Sequence, residues 1–236
     1  MKRSEINNAI RMAEEFFARH HFQLPPFARY TLNDWKEKSD TLSEVRDCAL
    51  GWDVTDFGSG EFNKIGLLLF TLRNGVLNNP AYPKSYAEKI MISRSCQVTV
   101  MHCHEYKQED IINRGGGKLV FELYNRGNSA RELADTPVKV VKDGMLITVK
   151  AGERIAISPG ESLTLTPGLF HTFYADEGND VLIGEVSAVN DDYTDNCFYR
   201  DLPRFPETEE DEAIYRVIVS DYRTIGNTLK QPDKTV

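Results

Sequence analysis

Apolar residues recur along this chain with two different periods, and the change from one to the other divides it. Near the start, Ile6, Ile10, Ala13, Phe16 and Phe17 follow a three-to-four spacing. That spacing puts them on one face of a helix over residues 4–19, with Ser4 as its N-cap. His20 and His21 stand at the helix end, where a cation favours the dipole. Pro25 and Pro26 stop any continuation. From Ala28 to Gly60 the pattern is mixed, with Trp35, Trp52 and Phe57 as isolated anchors, and short helices and loops are expected.

From Lys64 onward, runs rich in β-branched and aromatic residues alternate with turn signals. They cover Ile65–Arg73, Tyr86–Ser93, Gln97–His104, Lys118–Tyr124, Val138–Val141, Met145–Val149, Arg154–Ile157, Ser162–Thr166, His171–Ala175 and Val181–Val186. Asp143-Gly144, between two of them, is the strongest hairpin signal. About ten strands with no helical pattern between them predict an all-β fold, an antiparallel sandwich or barrel. After Pro203 come the acidic stretch Glu207–Glu212 and an apolar patch, Ala213–Val219. The polar residues Lys230–Val236 are expected to be disordered. The expected organisation is one unit: helix and loops over 1–60 packed on a barrel over 61–200, then a C-terminal extension over 201–236.

Composition narrows the function classes. A formal charge of −8 and a pI near 5.2, without any Lys/Arg cluster, argue against a nucleic-acid or anionic-membrane partner. The longest apolar run, Ile65–Phe70, falls far short of the ~18 residues of a membrane span. The first residues lack the apolar core of a signal peptide. Cys48, Cys96, Cys103 and Cys197 never form a C-x-x-C pair, so reduced thiols in a cytoplasmic protein are expected.

The chemistry concentrates in two fragments. Alternate side chains of a strand face the same way, so His102 and His104 project together. Glu109 can join them if Glu105–Gln108 forms a tight loop, and His171 follows Pro167-Gly168. Three imidazoles and one carboxylate suit a single divalent ion such as Mn, Fe, Co, Ni or Zn rather than Ca or Mg. Four protein ligands leave an octahedral ion two adjacent positions for paired substrate oxygens. With Gly116 and Gly168, the spacing resembles both halves of the cupin signature, so a jelly-roll-like cupin barrel is expected. The asparagine common four positions after the second-half histidine is replaced by Ala175. Gly115–Gly117 is expected to be a turn needing positive φ.

Further stretches carry a narrower likeness. Met1–Asn7, Leu24–Phe27, Gly51–Asp53, Leu69–Gly75, Tyr86–Met91, Glu109–Gly117, Ser158–Ser162 and Gly184–Asp192 resemble the D-lyxose isomerase family of cupins, from the first residue to about Tyr222. The resemblance implies an aldose–ketose isomerase acting on D-lyxose and D-xylulose, and often on D-mannose and D-fructose. It also implies Mn2+ as the preferred ion, a monosaccharide as partner and a homodimer. Relatives carry bulky aromatics within and after the metal pair, whereas this chain has Cys103 and Glu105. If Glu105 borders the pocket, sugar preference changes with it.

One ligand cluster favours proton transfer through a cis-enediol over a two-metal hydride shift. Glu109 is a candidate base as well as a ligand. Lys89 shares a strand face with Met91, opposite Glu88, Ile90 and Ile92, so it contacts substrate if that face points inward and solvent if not. Glu185 is a candidate for substrate binding or acid/base work, with a structural ion pair as the alternative. Asp191, Asp192 and Arg204 are candidate sugar-hydroxyl ligands, with turn capping or surface ion pairs as alternatives. Two other classes share the same ligand set: a cupin iron oxygenase and a non-catalytic sugar-binding cupin.

Overall fold

The computed structural model describes residues 1–223; the tail Lys230–Val236 lies outside them. Helix α1 spans Arg3–Arg19. Ser4 is inside it rather than capping it: Asp211 accepts hydrogen bonds from the Ser4 N–H and hydroxyl at 2.9 and 2.8 Å. The acidic stretch read from the sequence thus folds back onto the positive end of the helix. Arg3, fully buried, joins it through Glu210 and Asp221. Short helices α2 (Leu32–Glu37) and α3 (Ser43–Asp47) follow.

The strands are β1 (Gly51–Thr55), β2 (Leu67–Arg73), β3 (Tyr86–Ser93), β4 (Val98–His104), β5 (Glu109–Gly116), β6 (Leu119–Arg126) and β7 (Leu133–Ala134). After them come β8 (Val138–Lys142), β9 (Met145–Val149), β10 (Arg154–Ile157), β11 (Ser162–Leu165), β12 (Leu169–Ala175), β13 (Val181–Ala188) and β14 (Asn196–Phe198). Asp143 and Gly144 both take positive φ in the β8–β9 hairpin, as that turn requires. Eight strands form one sheet in the order β1-β2-β3-β13-β5-β11-β8-β9, and β10-β6-β12-β4-β14, with β7 also paired to β6, form a second of six strands. The two curl against each other as a half-barrel of cupin type.

Four strands escape the sequence pattern. β1 is buried at every position and shows no alternation, so Trp52 belongs to the large sheet and not to a decorating loop. The boundary expected at residue 60 therefore cuts through the sheet. β5 carries an Asn, an Arg and two glycines, which masks it, while β7 and β14 are only two and three residues long. Gly115 and Gly116 do take positive φ, but at the end of β5, where a Cβ on Gly116 would lie 2.1 Å from the Asp180 carbonyl oxygen.

Burial sorts each strand into two faces. Leu69, Met91, Ile111, Phe121, Leu123, Phe173 and Ile183 fill the space between the sheets. On the outer face of the large sheet, Trp52, Phe70, Ile90 and Ile92 meet Ile6, Ile10 and Phe17 of α1. A third cluster joins Trp35 and Leu42 to Val217 and Tyr222, so the extension is packed onto the body. The helix closes one side of the large sheet and leaves its inner face to the site.

Candidate active site

In the small sheet β12 pairs with β4, and His171 lies directly opposite His102. His104 follows on the same face two residues later. Ring nitrogens of all three approach within 4.8 Å of one another. Glu109, the first residue of β5, comes from the other sheet; its Oε1 is 3.2 Å from His171 Nε2 and 3.4 Å from His104 Nε2. The four side chains proposed as ligands are therefore brought together.

The rings are turned for coordination. His102 Nδ1 is 2.8 Å from the Val100 carbonyl, and His171 Nδ1 is 3.0 Å from that of Leu169. Donation at Nδ1 fixes the tautomer that presents Nε2 inward. His171 Nε2 is buried without a hydrogen-bond partner, a costly arrangement that a bound cation removes. Burial, reinforced by His171 and His104, holds His102 well below the usual histidine range, so it is a neutral donor. These residues fit a divalent ion.

Beside them is a dense charge network. Lys107 Nζ is 2.7 Å from Glu109 Oε2 and 2.9 Å from Glu185 Oε1. Lys89 Nζ is 3.2 Å from the same Glu185 oxygen and donates to Asn190 Oδ1 at 2.6 Å. Burial opposes ionisation of Glu109, yet Lys107 and His104 outweigh it and hold that carboxyl well below its ordinary range. Glu185 is likewise lowered against its burial, by Lys107 and then Lys89. Arg204 lies against Asp53 and Asp192. Three cations (Lys89, Lys107, Arg204) thus face four carboxylates (Asp53, Glu109, Glu185, Asp192).

Lys89, Lys107, Glu185, Asp192 and Arg204 line one cavity together with His102, His104 and Glu109. Asp191 does not: its carboxylate caps its own loop, accepting from Tyr193 N–H at 3.0 Å and the Thr194 hydroxyl at 2.5 Å. Asp192, one residue on, takes the place in the wall. Glu105 also faces away, paired with Arg126 at 2.7 Å on the outer side of the small sheet, where Arg126 further contacts Cys103 Sγ.

The sequence profile of the D-lyxose isomerase family matches residues 1–222. The chain belongs to the D-lyxose isomerase family. Two curated relatives named D-lyxose/D-mannose isomerase agree. The protein from Escherichia coli O157:H7 is 49% identical over 226 residues, covering 94% of this chain and 99% of that one. The protein from Serratia proteamaculans is 48% identical, covering 94% and 98%. As a member of this family the chain is a sugar isomerase. Its fold is shared with L-ribose isomerase of Cellulomonas parahominis, at 15% identity and a TM-score of 0.54 over 84% of this chain and 92% of that one. L-ribose isomerase of Acinetobacter sp. DL28 gives 14% and 0.54 over 85% and 93%.

Within this family site, Lys107 is the residue the sequence reading passed over. It lies in the stretch taken as a mere connecting loop, two residues before Glu109. Once Glu109 is known to begin a strand, that spacing is the signal: the two side chains point the same way. Asn190 was hidden for a different reason, since nothing local reveals that an amide oxygen 101 residues from Lys89 accepts its hydrogen bond.

Proposed function

We propose that this isomerase interconverts D-lyxose with D-xylulose, and D-mannose with D-fructose, by proton transfer through a cis-enediol. His102, His104, Glu109 and His171 would hold one divalent ion, which we take to be Mn2+. Such an ion, when bound, polarises the sugar carbonyl and acidifies the adjacent C–H. A homodimer in the cytoplasm belongs to the same reading; the family resemblance supports the dimer and the unpaired cysteines support the compartment.

The state of the two glutamates carries the assignment of roles. Both oxygens of Glu109 are committed, one toward the histidines and one to Lys107, which supports a ligand role for it. Both lysines fall on Oε1 of Glu185, and among the described residues no donor engages Oε2. Glu185 is therefore the base that takes the C2 proton and returns it to C1. Lys89 and Lys107 keep it ionised, and in this reading Lys89 moves the hydroxyl proton between O1 and O2. Asp192 and Arg204, in the cavity wall, hydrogen-bond the remaining hydroxyls.

The test is anaerobic turnover of a panel of aldoses in D2O by protein stripped of metal and reloaded with Mn, Co, Ni, Zn or Fe in turn. Lyxose and xylulose should interconvert with solvent deuterium entering C1 or C2. Complete retention of the substrate hydrogen would count against proton transfer. Glu185→Gln should lower kcat by about 10²–10⁴-fold and keep its metal.

A further inference from the structure

We propose that Asp195 is the positioning residue that aims His104 at the metal, and that it acts from the same loop that walls the sugar cavity. The inference rests on the metal-site reading above. His102 and His171 are oriented locally, each by the backbone carbonyl two residues earlier in its own strand. His104 is not oriented in this way. Its Nδ1 lies 3.1 Å from Asp195 Oδ2; the contact is close but not aligned as a hydrogen bond, and both atoms are buried with no hydrogen-bond partner.

The carboxylate is itself held. Its Oδ1 accepts the Tyr106 N–H at 2.7 Å, and the Asp195 carbonyl accepts the Glu105 N–H at 3.0 Å. A neutral imidazole whose Nδ1–H faces a carboxylate must turn its Nε2 lone pair to the opposite side, which here is the side of Glu109 and His171. Asp195 stands just before β14, between cavity residues Asp192 on one side and Asn196 and Phe198 on the other. The loop that shapes the sugar's surroundings therefore also sets one ligand.

A purely structural role, holding the β4–β5 turn through Tyr106, is the competing account, and the variants separate the two. Asp195→Asn keeps an oxygen for Tyr106 and loses the charge facing His104. Asp191→Ala removes bonds within the same loop without touching His104. Mn2+ affinity of the chelator-treated full chain is measured by titration calorimetry, with the visible spectrum of the Co2+ form as a second readout. Asp195→Asn should weaken Mn2+ binding about 10–100-fold and alter the Co2+ bands. Asp191→Ala should stay within about twofold of the wild type. Asp195→Glu, which keeps the charge, should retain more affinity than Asp195→Asn. Wild-type affinity in Asp195→Asn, or an equal loss in Asp191→Ala, would overturn the assignment. Failure of the unaltered protein to bind Mn2+ or Co2+ would instead remove the metal site itself.

Discussion

Lys107→Met removes one charge from the centre of the site while nearly preserving volume. Lys107 is 3% exposed, and its ammonium lies 2.7 Å from Glu109 and 2.9 Å from Glu185. Without it Glu185 keeps Lys89 at 3.2 Å, but Glu109 is left buried beside the histidines alone. Stranding a buried partner costs about 3–5 kcal/mol, a large share of the ~5–15 kcal/mol that holds a domain together. At roughly 2–4 °C per kcal/mol for a chain of this size, Tm should fall by about 6–20 °C.

The pH dependence has a definite sign. Lys107 depresses both carboxyls, so their stabilisation is present above the unfolded value near ~4.3 and is lost as pH falls through the lower folded values. Wild type and variant should therefore differ most at neutral pH and converge in acid. The assay is guanidinium unfolding of chelator-treated protein, followed by circular dichroism at both pH values. Adding Glu109→Gln to the variant should return part of the loss. A deficit under about 1 kcal/mol at neutral pH, or one that does not shrink in acid, would refute the network as drawn.

Two further outcomes test the surroundings of the site. Gly116→Ala meets both a φ of +95° and the Asp180 carbonyl oxygen, so it should cost at least about 1–3 kcal/mol by chemical denaturation; a neutral result would mean β5 does not end as described. Glu105→Gln breaks a half-exposed pair with Arg126 outside the cavity, so stability should change by less than about 1 kcal/mol and the ratio of kcat/KM for lyxose over mannose should not move.

Where the sequence spoke through periodicity, it spoke clearly. The two-residue period of β3 put Lys89 and Met91 on one face and Ile90 and Ile92 on the other, and those faces are the cavity and the seat of α1. The H-x-H pair on β4 was legible for the same reason. What stayed hidden depends on contacts distant along the chain. Asp191 and Asp192 are chemically identical neighbours, and only the path of the loop decides which one faces inward. Glu105 follows a ligand directly, yet strand alternation turns it outward, a conclusion available from the pattern for Cys103 and not extended to its neighbour. Lys107 was lost because β5, with its glycines, does not look like a strand.

The four ligands proposed for the metal do not come from one layer. His102, His104 and His171 belong to the six-stranded sheet, Glu109 to the eight-stranded one, and the two sheets share no strand. An ion gripping all four is thus a clasp between two leaves, and its affinity is felt as resistance to their splaying. At a free concentration 100 times Kd the clasp adds about 2.7 kcal/mol to the closed form. Metal supply would then govern how firmly the mouth of the half-barrel keeps its shape, before any sugar arrives.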